Sequence, residues 1–192
     1  MNARAVAIGA SVLILVGVAA AGASASRSVV GFTSLTNNGT PSRAIPQHLR
    51  NQAKELMLAG SHSVWLVPTP NGNFCEGFSY GFGGCRARTL PASFNASSQA
   101  EFRIGDTVER RNSAVVAIGG DLLAAPGSSL TVVYADGSQQ RIPVTFVSAP
   151  ISAGFYALTL SPLHQRPGHT PLRLDASDPH GTIISSVAIT SH

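Results

Sequence analysis

The stretch Leu130-Thr-Val-Val-Tyr-Ala-Asp-Gly-Ser-Gln-Gln-Arg-Ile-Pro-Val-Thr-Phe146 decides the fold class of this chain. Its first five residues are rich in the β-branched and aromatic side chains that suit a pleated, half-buried surface. Asp136-Gly137 is a hairpin signal, because a tight turn between strands needs positive φ and these residues tolerate it. Beyond the turn, Ile142, Val144 and Phe146 fall on alternate positions, the pattern of a strand with one face inward. Pro143 has no amide hydrogen to give a ladder, so it predicts an edge position.

The same pattern continues on either side. Ala114-Val-Val-Ala-Ile118 comes before it. Phe155-Tyr-Ala-Leu-Thr-Leu160, Pro171-Leu-Arg-Leu-Asp175 and Thr182-Ile-Ile-Ser-Ser-Val-Ala-Ile189 come after, the last two joined by a turn at Asp178-Pro-His-Gly181. Six short strands within residues 113–192, each bounded by turn chemistry, predict an antiparallel, immunoglobulin-like β-sandwich. It lacks the paired cysteines and core tryptophan of antibody domains. Composition agrees: 11% charged residues with 19 Gly and 12 Pro suit many strands and turns rather than long helices.

Residues 46–112 read as a smaller α+β region. Leu49, Ala53, Leu56 and Met57 recur at helical spacing, Pro46 suits a first turn and Gly60 a stop, so one helix is expected here. A hairpin follows, with Ser63-Val-Trp-Leu-Val67 and Asn73-Phe-Cys-Glu-Gly-Phe78 joined across Pro68-Thr-Pro-Asn-Gly72. A third strand is expected at Cys85-Arg-Ala-Arg88, and another at Glu101-Phe-Arg-Ile104. Residues 26–45 show little patterning and read as a flexible tether.

The N-terminus gives an address. No charge lies between Arg4 and Arg27, and Val12-Leu-Ile-Leu-Val-Gly-Val18 is almost wholly apolar. A short basic start, an apolar core of roughly 7–15 residues and a small-residue run make an export signal, with cleavage after Ala23-Ser24-Ala25. Residues 5–26 are also long enough for an uncleaved membrane anchor, which needs about 17–25 apolar residues. Residues 1–25 are thus a signal peptide or an anchor, and either reading places the rest outside the cytoplasm. With no cysteine near residue 20, lipid attachment is excluded. Twelve of the thirteen basic residues are Arg, a bias that points to a GC-rich bacterial genome. Those residues are scattered, their longest run being Arg110-Arg111, so a nucleic-acid partner is not expected.

Four groups carry candidate chemistry. Cys75 and Cys85 are the only cysteines, and an oxidising compartment makes a disulfide their simplest reading. Between them, Gly77-Phe-Ser79-Tyr-Gly81 matches the Gly-x-Ser-x-Gly elbow that exposes a hydrolase's serine. An elbow needs a helix after the serine, and Gly81-Phe-Gly-Gly84 does not propagate one. A serine hydrolase using Ser79 would draw on His164, His169 or His180 and on Asp175. Asp175, Asp178 and His180, with the two upstream histidines, have ligand chemistry for a divalent ion, although Asp178 to Gly181 also reads as a plain turn. Phe74, Phe78, Tyr80 and Phe82 alternate near Trp65. They read either as the core of the small sheet or as an aromatic platform, in which Trp65, Tyr80 and Phe82 are the candidate binding residues.

The run Val132-Val-Tyr-Ala-Asp-Gly137, with Ala149-Pro-Ile-Ser-Ala-Gly-Phe-Tyr156 and Asp175 followed by His180-Gly-Thr-Ile-Ile184, resembles exported actinobacterial-type proteins of unknown function. These pair a Trp/Cys-bearing hairpin with a C-terminal β-sandwich. The resemblance covers roughly residues 60–190 and implies an exported β-rich module, with no activity or catalytic residue carried over. The expectation is therefore a mainly β protein with an N-terminal hydrophobic helix, a disulfide-bearing region and a sandwich. Its expected role is non-catalytic binding or support at the cell surface, without a cofactor and with an unidentified surface ligand or protein as partner. The alternatives are the small serine hydrolase and a metal-dependent adhesion domain.

Overall fold

A computed structural model describes residues 29–86, 103–104, 107–111 and 114–189. The apolar segment at residues 5–26 lies outside them. Among the described residues no helix is long and apolar enough to cross a membrane.

Among the described residues short strands dominate, in three sheets. The central sheet runs β1 (Val29–Val30), β11 (Thr145–Val147), β12 (Ala153–Thr159) and β8 (Ala114–Leu123), with β6 (Arg103–Ile104) and β7 (Thr107–Arg111) in line along the far edge of β8. A second sheet is ordered β10 (Gln139–Ile142), β9 (Ser129–Tyr134), β13 (Pro171–Ser177) and β14 (Ile183–Ala188). The third is a simple meander of β2 (Lys54–Met57), β3 (Ser63–Pro68), β4 (Phe74–Phe78) and β5 (Gly83–Arg86).

Alternation along the strands turns these sheets into layers. On β12, Tyr156 and Leu158 join a core with Leu130, Val132 and Leu174 of the second sheet. Ala153, Phe155 and Ala157 point the other way, into a core with Val64, Leu66, Phe74 and Phe78 of the third sheet. The central sheet is therefore covered on both faces, which is why β12 reads as a nearly unbroken apolar run. The third sheet is covered twice as well: Trp65, Val67 and Cys75 on its outer face pack with Ile45, Leu49 and Ala53.

Three sequence expectations change. The first is the helix after Pro46. Only a 3₁₀ segment, Gln47–Gln52, forms, and Lys54–Met57 is a strand paired with β3. The apolar residues placed on one helical stripe serve different surfaces: Leu56 enters the central layer, Leu49 and Ala53 cover the outer face, and Met57 is exposed. The ladder satisfies each backbone group of Lys54–Met57 that faces β3, and the turn at Ala59–Ser61 permits it because Gly60 and Ser61 accept positive φ.

The second is the tether. Residues 29–45 are packed, with β1 pairing parallel to β11, Thr36 bridging Glu55, and Ile45 fully buried. The only lysine, Lys54, donates to Thr33 O at 3.3 Å and lies 5.1 Å above the Phe32 ring.

The third is the return strand through Pro143. Ile142, Val144 and Phe146 do share the inward direction. However, β10 ends at Ile142 and pairs with β9, whereas β11 starts at Thr145 and pairs with β12 in the other sheet. Proline ends one ladder, and the chain crosses between layers there.

Candidate functional site

The cysteine hairpin is built from register. Cys75 and Cys85 are directly opposite on β4 and β5 and form a disulfide. Cys75 is fully buried and Cys85 exposed, so the bridge ties the outer edge strand to the interior.

The turn between them explains the Gly-x-Ser-x-Gly pattern without catalysis. Gly81 N–H donates to Phe78 O at 2.9 Å, and Gly81 has φ +96°, a conformation that suits glycine. A Cβ at Gly77 would stand 2.6 Å from Ser42 Cβ, because the segment before Ile45 packs on that backbone. Ser79 is exposed, donates its N–H to Ser63 O at 2.9 Å and accepts at Oγ from Ser63 N–H at 3.2 Å. A strand follows this serine, in place of the helix an elbow requires.

The aromatic candidates part company. Trp65 is only 8% exposed and belongs to the outer core cluster. Tyr80 is half-buried; its ring stacks on Phe78 at 5.3 Å and meets the His62 ring edge-on at 5.6 Å. Its hydroxyl occupies the space a side chain at Gly119 would need. Next to it, His62 Nε2 and Thr159 Oγ1 are 2.7 Å apart, so both residues dock the hairpin onto the central sheet. Phe82, with its ring 6.1 Å from Tyr80, is 46% exposed at the tip. The three candidates thus supply one core residue, one docking residue and one presented ring.

The acid and histidine candidates do not converge on Ser79. Asp175 accepts from Arg173 Nε at 2.9 Å and from Ser186 Oγ at 2.7 Å. Burial pushes its carboxyl up, but the hydrogen bonds from Arg173 and Ser186, with the Arg173 charge, outweigh this and hold it below the ordinary range. Asp178 Oδ1 accepts from His180 N–H at 2.9 Å and Thr182 N–H at 2.8 Å, the closed turn expected for Asp-Pro-His-Gly. Among the described residues no three His, Cys, Asp or Glu side chains cluster as they would around a metal ion.

His164 and His169 are brought together instead over the β9–β10 hairpin. The His164 ring lies 3.6 Å from that of Tyr134, nearly parallel at 11°. His169 Nδ1 is 2.7 Å from Asp136 Oδ2, while Asp136 Oδ1 accepts from Ser138 N and Oγ at 2.9 and 2.6 Å. Hydrogen bonds from the Ser138 hydroxyl and from His169 hold the Asp136 carboxyl far below the usual range. Tyr134 donates to Gln140 Oε1 at 2.6 Å; burial, then the charge of Asp136, pushes its phenol up to about 12. This grouping had no local signal in the sequence, since His169 and Asp136 are 33 residues apart.

Glu76 and Asp121, both fully buried, also went unmarked by sequence patterning. Glu76 shares a strand face with Phe74 and Phe78, and Asp121 is the register partner of Phe155. Both acids therefore belong to the layer between the central and third sheets, and neither is free.

Comparison with protein-family models, with curated proteins and with solved structures yields no match.

Proposed function

We propose that this chain is an exported, non-catalytic binding or structural module of the cell surface, with Phe82 as its leading contact residue and Tyr80 at the margin. The observation that carries the reading is the exposed Phe82 ring on a turn fixed by the Cys75–Cys85 bridge and by Tyr80 docking. An aromatic held on a rigid turn loses little conformational entropy when it binds. The disulfide suits an oxidising compartment, in keeping with export through residues 1–25 and with the resemblance to exported actinobacterial-type proteins. In this reading the two sheets that share the Tyr156 core form an immunoglobulin-like sandwich that serves as scaffold.

The test has two arms. The mature protein should have a mass lacking residues 1–25 and two hydrogens lower again; retention of those residues would instead make it membrane-anchored. Purified wild-type and Phe82→Ala proteins are then compared for sedimentation with isolated bacterial cell envelopes. Phe82→Ala should lower the bound fraction severalfold at unchanged Tm. Equal binding by the two proteins, or an esterase activity abolished by Ser79→Ala, would refute the reading.

A further inference from the structure

Residues 161–170 carry the chain from β12 in the central sheet to β13 in the second sheet, passing over the β9–β10 hairpin. The contacts are placed along its length. Ser161 Oγ accepts from His164 N–H at 3.3 Å and sits 3.3 Å from His164 Nδ1, orienting the ring on Tyr134. Gln165 Nε2 donates to Leu160 O at 2.8 Å. Inside the segment, Arg166 N–H donates to Leu163 O and His169 N–H to Arg166 O, each at 3.1 Å. At its end Thr170 O accepts from Ala135 N–H at 2.9 Å. The two side-chain fasteners are both imidazoles, and both meet the same hairpin: one on the Tyr134 ring, the other on the Asp136 carboxylate.

We propose that residues 161–170 form a pH-responsive strap, fastened to the β9–β10 hairpin by His164 on Tyr134 and His169 on Asp136, and held more tightly when the imidazoles are protonated. The charge logic is simple. Asp136 is an anion throughout the range in which histidine changes charge, because its own bonds to Ser138 and His169 favour ionisation. Protonating His169 turns a neutral hydrogen bond into a charge-assisted one. Protonating His164 places a cation on the face of an aromatic ring. The titratable groups on the hairpin that meet the strap are Tyr134 and Asp136; Arg166 is on the strap and exposed. Release would uncover the ring of Tyr134, which is now 1% exposed.

NMR-detected amide exchange, corrected for intrinsic rates, tests this on the full chain. The amides of Arg166 and His169 should be about threefold more protected near pH 5.5 than near pH 8, the size expected of a partly exposed ion pair. Amides of β13 paired with β9 should show no such change. Asp136→Asn keeps the acceptor for Ser138 and removes the charge, so the pH response should shrink to the part supplied by His164 on Tyr134, as it should in His169→Gln. Raising salt to about 1 M should shrink the wild-type response, an arm that needs no variant. No pH dependence in the wild type, an equal response in Asp136→Asn, or a response indifferent to salt would each overturn the strap.

Discussion

The two outer sheets pack on the same central sheet from opposite sides, yet they are stabilised differently. The second sheet buries one face and leaves Gln139, Arg141 and Arg173 in water on the other, the usual economy of an antiparallel sheet. In the third sheet, β3 is buried from Ser63 through Val67 and all of β4 is buried, because residues 41–53 close over its outer face. Arg50 fastens that cover, donating to Ile45 O at 2.9 Å and Arg43 O at 3.0 Å. The contrast teaches that a small, early hairpin became an interior layer. Its stability rests on a long cover segment and a disulfide, whereas the second sheet relies on one apolar face and well-formed turns.

The sharpest way to break this comparison is at Phe155, whose ring meets Phe74 at 5.7 Å across the layer. Phe155→Ala should cost about 3–5 kcal/mol. Trp65, the single tryptophan, reports the third sheet alone, so denaturation followed by its fluorescence and by circular dichroism should shift coincidently. Separate transitions would show that the third sheet is an independent unit. Next in size, replacing both Cys75 and Cys85 by Ser should cost about 2–3 kcal/mol for so short a loop. Amide protection in the second sheet at pH 7 should keep its rank order while the Trp65 midpoint falls.

A glycine pair sharpens the contrast further. Gly77→Ala forces a Cβ into Ser42 and should cost about 1–3 kcal/mol, since the cover must move. Gly181→Ala, in the open turn of the second sheet at φ +91°, meets no neighbour and should cost about 1 kcal/mol through backbone conformation alone. Urea midpoints for the two variants decide this, and equal losses would mean that the cover segment yields freely.

The smallest effects are electrostatic and belong to the second sheet. Tyr134→Phe should cost about 1 kcal/mol by losing the bond to Gln140. Because the Tyr134 phenol is raised to about 12, its contribution is complete below the ordinary tyrosine value near 10 and fades as pH climbs through 12. That alkaline loss should be absent from Tyr134→Phe. The depressed Asp175 carboxyl works in the opposite sense: its contribution is complete above the ordinary value near 4 and fades as pH falls through the lower folded value. Urea titrations at acid pH should therefore show a shallower loss in Asp175→Asn than in the wild type.

Much of this architecture was legible where the signal was local. The turn at Asp136-Gly137 closes as expected, with Gly137 at φ +82° and its N–H on Tyr134 O. Asn71-Gly72 closes the β3–β4 hairpin with positive φ at both residues, as a tight hairpin turn requires. The helix expected after Pro46 failed for a reason the sequence hides. Leu49, Ala53, Leu56 and Met57 match a helical stripe by spacing, but pairing with β3 was available and separated them among three environments. Among the site residues, the expectation of an oxidising compartment led directly to the Cys75–Cys85 pairing. Trp65 could not be told from a platform residue, because only the cover at Ile45 and Ala53 makes its side of the sheet an interior.

The sequence by itself determined most of the strands beyond residue 60, their tight turns and the cysteine pair, because period-2 burial, positive φ and thiol chemistry act over a few residues. Only the tertiary structure decided which sheet each strand joined, that Pro143 is a crossing between layers, and that Gly77 and Gly119 are spaces kept for Ser42 and Tyr80. It alone set His164 and His169 over Tyr134 and Asp136. Those outcomes depend on packing between segments tens of residues apart, where hydrophobic burial is non-directional and shape alone selects the partner.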